Sequence, residues 1–213
     1  MLRGKLQSEL FYCNHLGVSD KDEQDIMNFT IRDEKGAGLL KYIQFFAFPE
    51  EDEGLMRTYM VRDNRSSELV GYFSLKAGLI SYNEHDVPVV DEITGEEVVE
   101  EETGEKKMRR VFDTLPGVEL ADFAVNQTYI DNHPDLKGVG LVIYNKFILP
   151  VVREAAETIG IKILYLFALP YEDLIDRYKT YGFSRLEKEL EEELHKRLKP
   201  LYDDDCKFMY RML

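Results

Sequence analysis

The stretch Ile130–Phe147, "IDNHPDLKGVGLVIYNKF", decides how this chain is read. A polar turn runs into Gly138-Val139-Gly140, and the residues beyond it carry helical periodicity. Glycines let a backbone approach a ligand closely, and the first N–H groups of a helix lack intrahelical partners. The question is which phosphate such a turn receives. A nucleoside triphosphate loop ends in Gly-Lys-Ser/Thr, whereas Leu141 and Val142 follow Gly140. A dinucleotide turn needs a third glycine where Ile143 stands, and a tight strand-to-helix connection, whereas 11 residues separate Asn126 from Gly138. Two readings remain: a plain glycine-rich helix start, or a phosphate cradle of another kind.

The flanks supply the context. "GVELADFAVN" (Gly117–Asn126) reads as a strand. After the turn, a helix is expected up to Thr158 or Ile159, with Gly160 as its C-terminal cap and Pro150 kinking or dividing it. "IKILYLFAL" (Ile161–Leu169) is nearly all apolar, as a strand covered on both faces would be. Tyr171–Tyr181 predicts a short helix stopped by Gly182, and Phe183 begins another extended piece. Leu186–Lys199 predicts an added amphipathic helix with Leu186, Leu190, Leu194 and Leu198 on one stripe, and Cys206–Leu213 a terminal strand.

Upstream, Lys21–Phe48 has helical periodicity broken at Gly36–Gly38, so two helices are expected before Pro49 and "EEDEG" close the segment. Leu55–Arg62 and Leu69–Ile80 read as strands joined by the turn "DNRSSE". Residues 83–112 fit either a β-arm or a disordered loop. The Val pairs at 89–90 and 98–99 around a Thr-Gly turn favour the arm. The whole order predicts a single α/β domain over residues 1–213, a mixed sheet with helices on both faces.

This order resembles the GNAT superfamily of acyl-CoA-dependent N-acetyltransferases. Asp135-Leu136-Lys137-Gly138-Val139-Gly140 lines up with the family's pyrophosphate loop, Gln/Arg-x-x-Gly-x-Gly/Ala. Arg177-Tyr178-Lys179-Thr180-Tyr181-Gly182-Phe183 lines up with its late motif, Phe-Tyr-x-x-x-Gly-Phe, and "LPGVELADFAV" with its central strand. The resemblance covers roughly residues 55–80 and 115–213. It implies a GNAT-like acyl-CoA N-acyltransferase fold and acetyl-CoA as co-substrate, with no metal. The backbone of Phe123, Ala124 and Val125 would pair with the pantetheine arm, and N–H groups from Lys137 through Gly138, Val139, Gly140 and Leu141 to Val142 would hold the pyrophosphate. Tyr178 would protonate the leaving thiolate. Asp135 departs from the family pattern, with Lys137 as a compensating cation, and Tyr171 stands where the family often has Asn near the pantetheine.

A primary amine, with a pKa near ~10.4, must lose a proton to attack a thioester. Glu119 is the candidate base, with water as the other option. Asp122 falls on the opposite strand face by simple alternation, and His133 sits in a polar turn expected to be exposed. "NEHD" (Asn83–Asp86) and "DNHPD" (Asp131–Asp135) have neither helical His spacing nor a cysteine partner, so no metal is expected.

The totals set limits. With 27 basic and 41 acidic residues, the formal net charge is −14, which argues against broad nucleic-acid binding and suits a small cationic or protein amine. Action on aminoacyl-tRNA, as in some compact toxins of the family, leaves only Lys106–Arg110 as a basic contact. A binding module without catalysis is the other alternative. Asp91–Glu105 alone holds 8 carboxylates, so much of the charge is local. Cys13 and Cys206 form no CxxC, and neither a signal peptide nor a transmembrane run is visible, so free thiols in a cytoplasmic protein are expected.

Overall fold

The computed structural model describes residues 6–32, 34–100, 102–198 and 205–213. Two strands, β1 (Leu6–Gln7) and β2 (Phe11–His15), lead into α1 (Asp22–Met27). A 3-10 turn (Glu34–Gly36) then opens α2 (Ala37–Lys41), which passes through a π-turn (Tyr42–Phe46) into α3 (Ala47–Asp52). Strands β3 (Arg57–Asp63), β4 (Leu69–Pro88) and β5 (Met108–Val125) follow, then α4 (Gln127–Asn132). Next come α5 (Val139–Ile143), a second π-turn (Tyr144–Ile148), α6 (Leu149–Ile159) and β6 (Ile163–Ala168). The chain ends with α7 (Glu172–Thr180), β7 (Ser184–Arg185), α8 (Lys188–His195) and β8 (Lys207–Met212).

The eight strands form one sheet in the order β1-β2-β3-β4-β5-β6-β8-β7. Every pairing is antiparallel except β5 with β6. One face packs on α5 and α6 through Val118, Leu120, Phe73, Ile143, Tyr144 and Phe147. The other face carries two separate apolar patches. Ile26, Phe29, Tyr42 and Ile43 cover Met60, Leu69, Tyr72 and Ala124, while Leu194 covers Ile80, Ile163, Tyr165 and Phe208.

Prolines fall inside both long helices without ending them. Pro49 and Pro150 each follow a π-turn that contains the residue four positions earlier, Phe45 and Lys146. The wider turn relieves the clash between a proline ring and the carbonyl of residue i−4. The first segment ends at Asp52, within the expected closing stretch Pro49–Gly54, and Pro150 lies in the first turn of α6. Gly160 caps α6 with a left-handed φ of 76°.

Two expected features change. Residues Gln127–Asn132 form a short helix rather than a polar loop. The leucine stripe at 186–198 is broken, since the helix starts only at Lys188 and Leu190 is 57% exposed. Its buried face includes Glu191 instead, whose carboxylate accepts from the Phe208 N–H at 2.7 Å and from Arg185 at 3.2 Å. Lys199 lies outside the described residues.

Residues 83–112 continue the β4–β5 ladder outward. Pairing persists to Pro88↔Met108, and two further bridges, Val90↔Glu97 and Val99↔Lys106, stand beyond it. The burial of β4 stops after Leu75, apart from Ile80, so the distal half projects as an exposed ribbon. Among the described residues, no helix is long and apolar enough to cross a membrane.

Candidate active site

The parallel strands β5 and β6 stay together for only three steps, Gly117↔Ile163, Val118↔Leu164 and Glu119↔Tyr165. Beyond Glu119 the two strands splay apart, so the edge of β5 from Leu120 to Val125 that faces β6 has no strand partner. An extended ligand can add itself to such an edge by main-chain hydrogen bonds. Phe123, Ala124 and Val125 lie on it. Their other edge is already paired to β4 at Phe73, Tyr72 and Gly71.

The base of the splay is set by glycines. Gly78 and Gly117 pair across β4 and β5, and a Cβ on Gly78 would lie 2.0 Å from the Tyr165 hydroxyl. Their bare backbone makes room for Tyr165, whose hydroxyl donates to Glu119 Oε2 at 3.4 Å. Burial raises the Glu119 carboxyl above its ordinary range, opposed by the charge of Lys76 and by Tyr165.

At the mouth of the splay, Gly138 precedes α5 with φ 66°. The turn, α5, Val125, Arg177 and Tyr181 line a cavity of about 740 Å³. Lys137, Gly138, Val139, Gly140 and Leu141 all face it, and Arg32, Lys137 and Arg177 bring three cations to its wall. Val142 is a correction to the expected set of N–H donors. Its N–H closes the first helical bond on Gly138 O at 3.1 Å and is not available to a ligand. Asp135, at the position where the loop pattern has Gln or Arg, is exposed and lines a separate hollow with Arg65, Tyr129 and His133. His133 is half-buried rather than exposed, stacked on Tyr129 at 4.2 Å and bonded through Nδ1 to the Tyr129 carbonyl at 2.9 Å.

Tyr178 lies on α7, packed against the main core, and is not among the residues lining the cavity. That helix stops because Gly182 takes φ 86°, and the Phe183 N–H turns back to the Tyr178 carbonyl at 3.1 Å. The Tyr178 ring meets Tyr181 and Phe183 edge-on at 6.0 and 5.7 Å. Burial pushes its phenol well above the usual range. Tyr171 begins α7 with its ring under the Lys35 ammonium at 3.8 Å, and it does not line the cavity.

Asp122 is the main departure from simple alternation. The ladder runs Lys76↔Glu119, Leu75↔Leu120, Ser74↔Asp122, which leaves Ala121 as a β-bulge. The extra residue reverses the alternation, so Asp122 shares a face with Glu119. Ser74 Oγ donates to Asp122 Oδ2 at 2.6 Å. Burial raises the Asp122 carboxyl to about 7; Ser74 opposes this, and Glu50 and Glu119 add to it. Sequence reasoning also missed Arg32 and Arg177. Arg177 is detectable in principle, since it lies four residues before Tyr181 on one helix. Arg32 comes from a distant segment with no local signal.

A mixed sheet splayed beside its central strand, with a glycine-led helix starting at the opening, is the GNAT-like fold that the sequence resemblance implies. Solved structures agree. A tyrosine-to-phenylalanine mutant of KacT matches with a TM-score of 0.58 and 15% identity, over 96% of this chain and 95% of that one. A mutant of the AtaT toxin bound to acetyl-CoA and the C-terminus of the antitoxin AtaR matches with 0.57 and 15% identity, over 95% and 92%. AtaT complexed with acetyl-methionyl-tRNAfMet matches with 0.54 and 18% identity, over 93% of each chain. No protein-family model matches this sequence, and no curated protein sequence does.

Proposed function

We propose that the protein is an N-acetyltransferase that moves an acetyl group from acetyl-CoA to a primary amine. The observation that carries this is the unpaired β5 edge leading to a cavity with free helix N–H groups and three cations. The chain fits the ligand along its length. Phe123, Ala124 and Val125 offer main-chain groups to the pantetheine amides. Gly138, Val139, Gly140 and Leu141 present N–H groups at the positive end of a helix to the pyrophosphate, with Lys137, Arg32 and Arg177 around them. Acetyl-CoA supplies an activated acyl thioester when bound. Tyr178, a phenol that is protonated at neutral pH and that burial raises further, gives a proton to the departing sulfur. Glu119 takes part on the acceptor side as a half-buried carboxylate. Cys13 and Cys206 are both buried and neither forms a disulfide, which suits a reducing cytoplasm.

The structural similarity to AtaT, solved with acetyl-methionyl-tRNAfMet, favours aminoacyl-tRNA as a second reading for the acceptor. The net charge of −14 opposes it. So does the local basic run, where Arg110 is engaged with Glu84 at 2.7 Å and Lys106 pairs with Glu97 at 2.5 Å. Calorimetry with acetyl-CoA, followed by acetyl transfer to polyamines, amino-sugars, a lysine peptide and charged tRNA, tests both. Absence of acetyl-CoA binding at millimolar ligand refutes the proposal. Binding without transfer to any acceptor marks a module instead of an enzyme.

A further inference from the structure

We infer that Asp122, held by Ser74, is the group that accepts the proton of the attacking amine, with Glu119 tuning it from two ladder steps below. This rests on the acetyltransferase reading. Three geometric observations carry it. First, the bulge at Ala121 turns Asp122 onto the sheet face between the two apolar patches, where it is half-buried. Second, the two carboxylates stand at different heights. Glu119 pairs with Tyr165 at the last closed step of β5 and β6, below the splay, and Tyr165 already donates to it. Asp122 stands opposite Ser74, two β4 residues beyond Lys76, which places it roughly 7 Å further into the opened segment. It directly precedes Phe123, whose backbone lies on the unpaired edge. Third, Ser74 Oγ donates to Asp122 Oδ2 at 2.6 Å, which fixes the carboxylate on that face.

The proton balance closes without a further reagent. The amine nitrogen forms its bond to the acyl carbon and passes one proton to the Asp122 carboxylate. The carbon–sulfur bond breaks with its electron pair on sulfur, which takes the Tyr178 proton. Return of the proton from Asp122 to Tyr178, through solvent, restores both groups. Ser74 on β4 is hydrogen-bonded to Asp122, and the ionisable groups that interact with it electrostatically are Glu119 on its own strand, Glu50 on α3, Tyr42 in the π-turn after α2, Tyr72 on β4 and Tyr178 on α7. Glu50 Oε2 is buried and has no hydrogen-bond partner. Its charge and that of Glu119 hold the Asp122 proton more tightly, and Ser74 loosens it. A base poised near the working pH is the most effective kind.

The test is the pH dependence of kcat at saturating amine and acetyl-CoA. Wild type should lose rate as pH falls through about 7, because a raised carboxyl is protonated below its pKa. Asp122→Asn should lower kcat by about 100-fold or more and abolish that limb, with acetyl-CoA affinity within about twofold of wild type. Ser74→Ala keeps the carboxylate and should move the limb to higher pH. Glu119→Gln should move it to lower pH. A merely structural role would depress the rate without these opposed shifts. An active Asp122→Asn variant that keeps the limb overturns the assignment, as does loss of the limb in Glu119→Gln alone. A wild type that transfers to no amine takes the acetyltransferase reading down with it, whereas those mutant outcomes remove only Asp122.

Discussion

Gly140 stands so close to Tyr181 that a Cβ at residue 140 would lie 3.0 Å from the Tyr181 hydroxyl. The tyrosine cannot yield easily. Its ring is stacked on Tyr144 at 4.8 Å, and its carbonyl accepts from Arg211 at 2.7 Å. The second glycine of the loop is therefore required by packing between α5 and the end of α7, which joins the two motifs physically. Gly140→Ala should weaken acetyl-CoA binding about tenfold, or ~1.4 kcal/mol. Adding Tyr181→Phe, which removes the hydroxyl, should recover most of the loss. Calorimetry on the two variants decides; a double variant no better than Gly140→Ala would refute the contact.

Gly138 is needed for a different reason. Nothing lies within 4 Å of a Cβ built there, but its φ of 66° costs other residues roughly 1–2 kcal/mol. Asn tolerates this conformation better than most residues, and a β-branched residue tolerates it badly. Gly138→Asn should bind acetyl-CoA within about threefold of wild type, and Gly138→Val at least tenfold more weakly. Equal losses in both would show that bulk over the ligand, not backbone conformation, selects glycine.

Tyr178 is held by Tyr181 and Phe183 rather than by the cradle, so binding and chemistry should separate. Tyr178→Phe should lower kcat by about 10- to 100-fold and leave the acetyl-CoA dissociation constant within about twofold. Because burial raises the phenol, it stays protonated through neutral and mildly alkaline pH, and no alkaline loss of rate should appear below about pH 10. Unchanged kcat in stopped assays would remove Tyr178 from the reaction.

The order of elements was legible because it rests on local signals. These include the apolar run of β6, glycine at the ends of α6 and α7, and a glycine-led helix after a central strand. What was not legible depends on longer-range geometry. The bulge at Ala121 reverses the face of Asp122, and nothing in "VELADFAV" marks an extra residue against β4. The π-turns that carry Pro49 and Pro150 are likewise invisible to a periodicity argument, which reads each proline as a break. Arg32 joins Arg177 and Lys137 at one cavity only after the chain has folded. At α8, the spacing of leucines suggested the buried stripe, but the cost of leaving the Phe208 N–H unpaired places Glu191 inside.

The distal arm makes its contacts with itself. Val89 N–H bonds Lys107 O, Val98 N–H bonds Val89 O, and Lys107 N–H bonds Val98 O, all at 2.8 Å. Ile93 at its tip is 95% exposed. Replacing residues 89–107 with Asn-Gly would join Pro88 to Met108, which already face each other, through a two-residue turn suited to the twist of the strands. The excision removes 8 carboxylates and 2 lysines. With no core side chain lost, the melting temperature should stay within about 3 °C of wild type, and acetyl-CoA affinity should be unchanged. A drop of more than about 6 °C would mean that the arm supports the central β4–β5 ladder. Retained stability with lost transfer to a cationic amine would instead assign the acidic tip to acceptor capture.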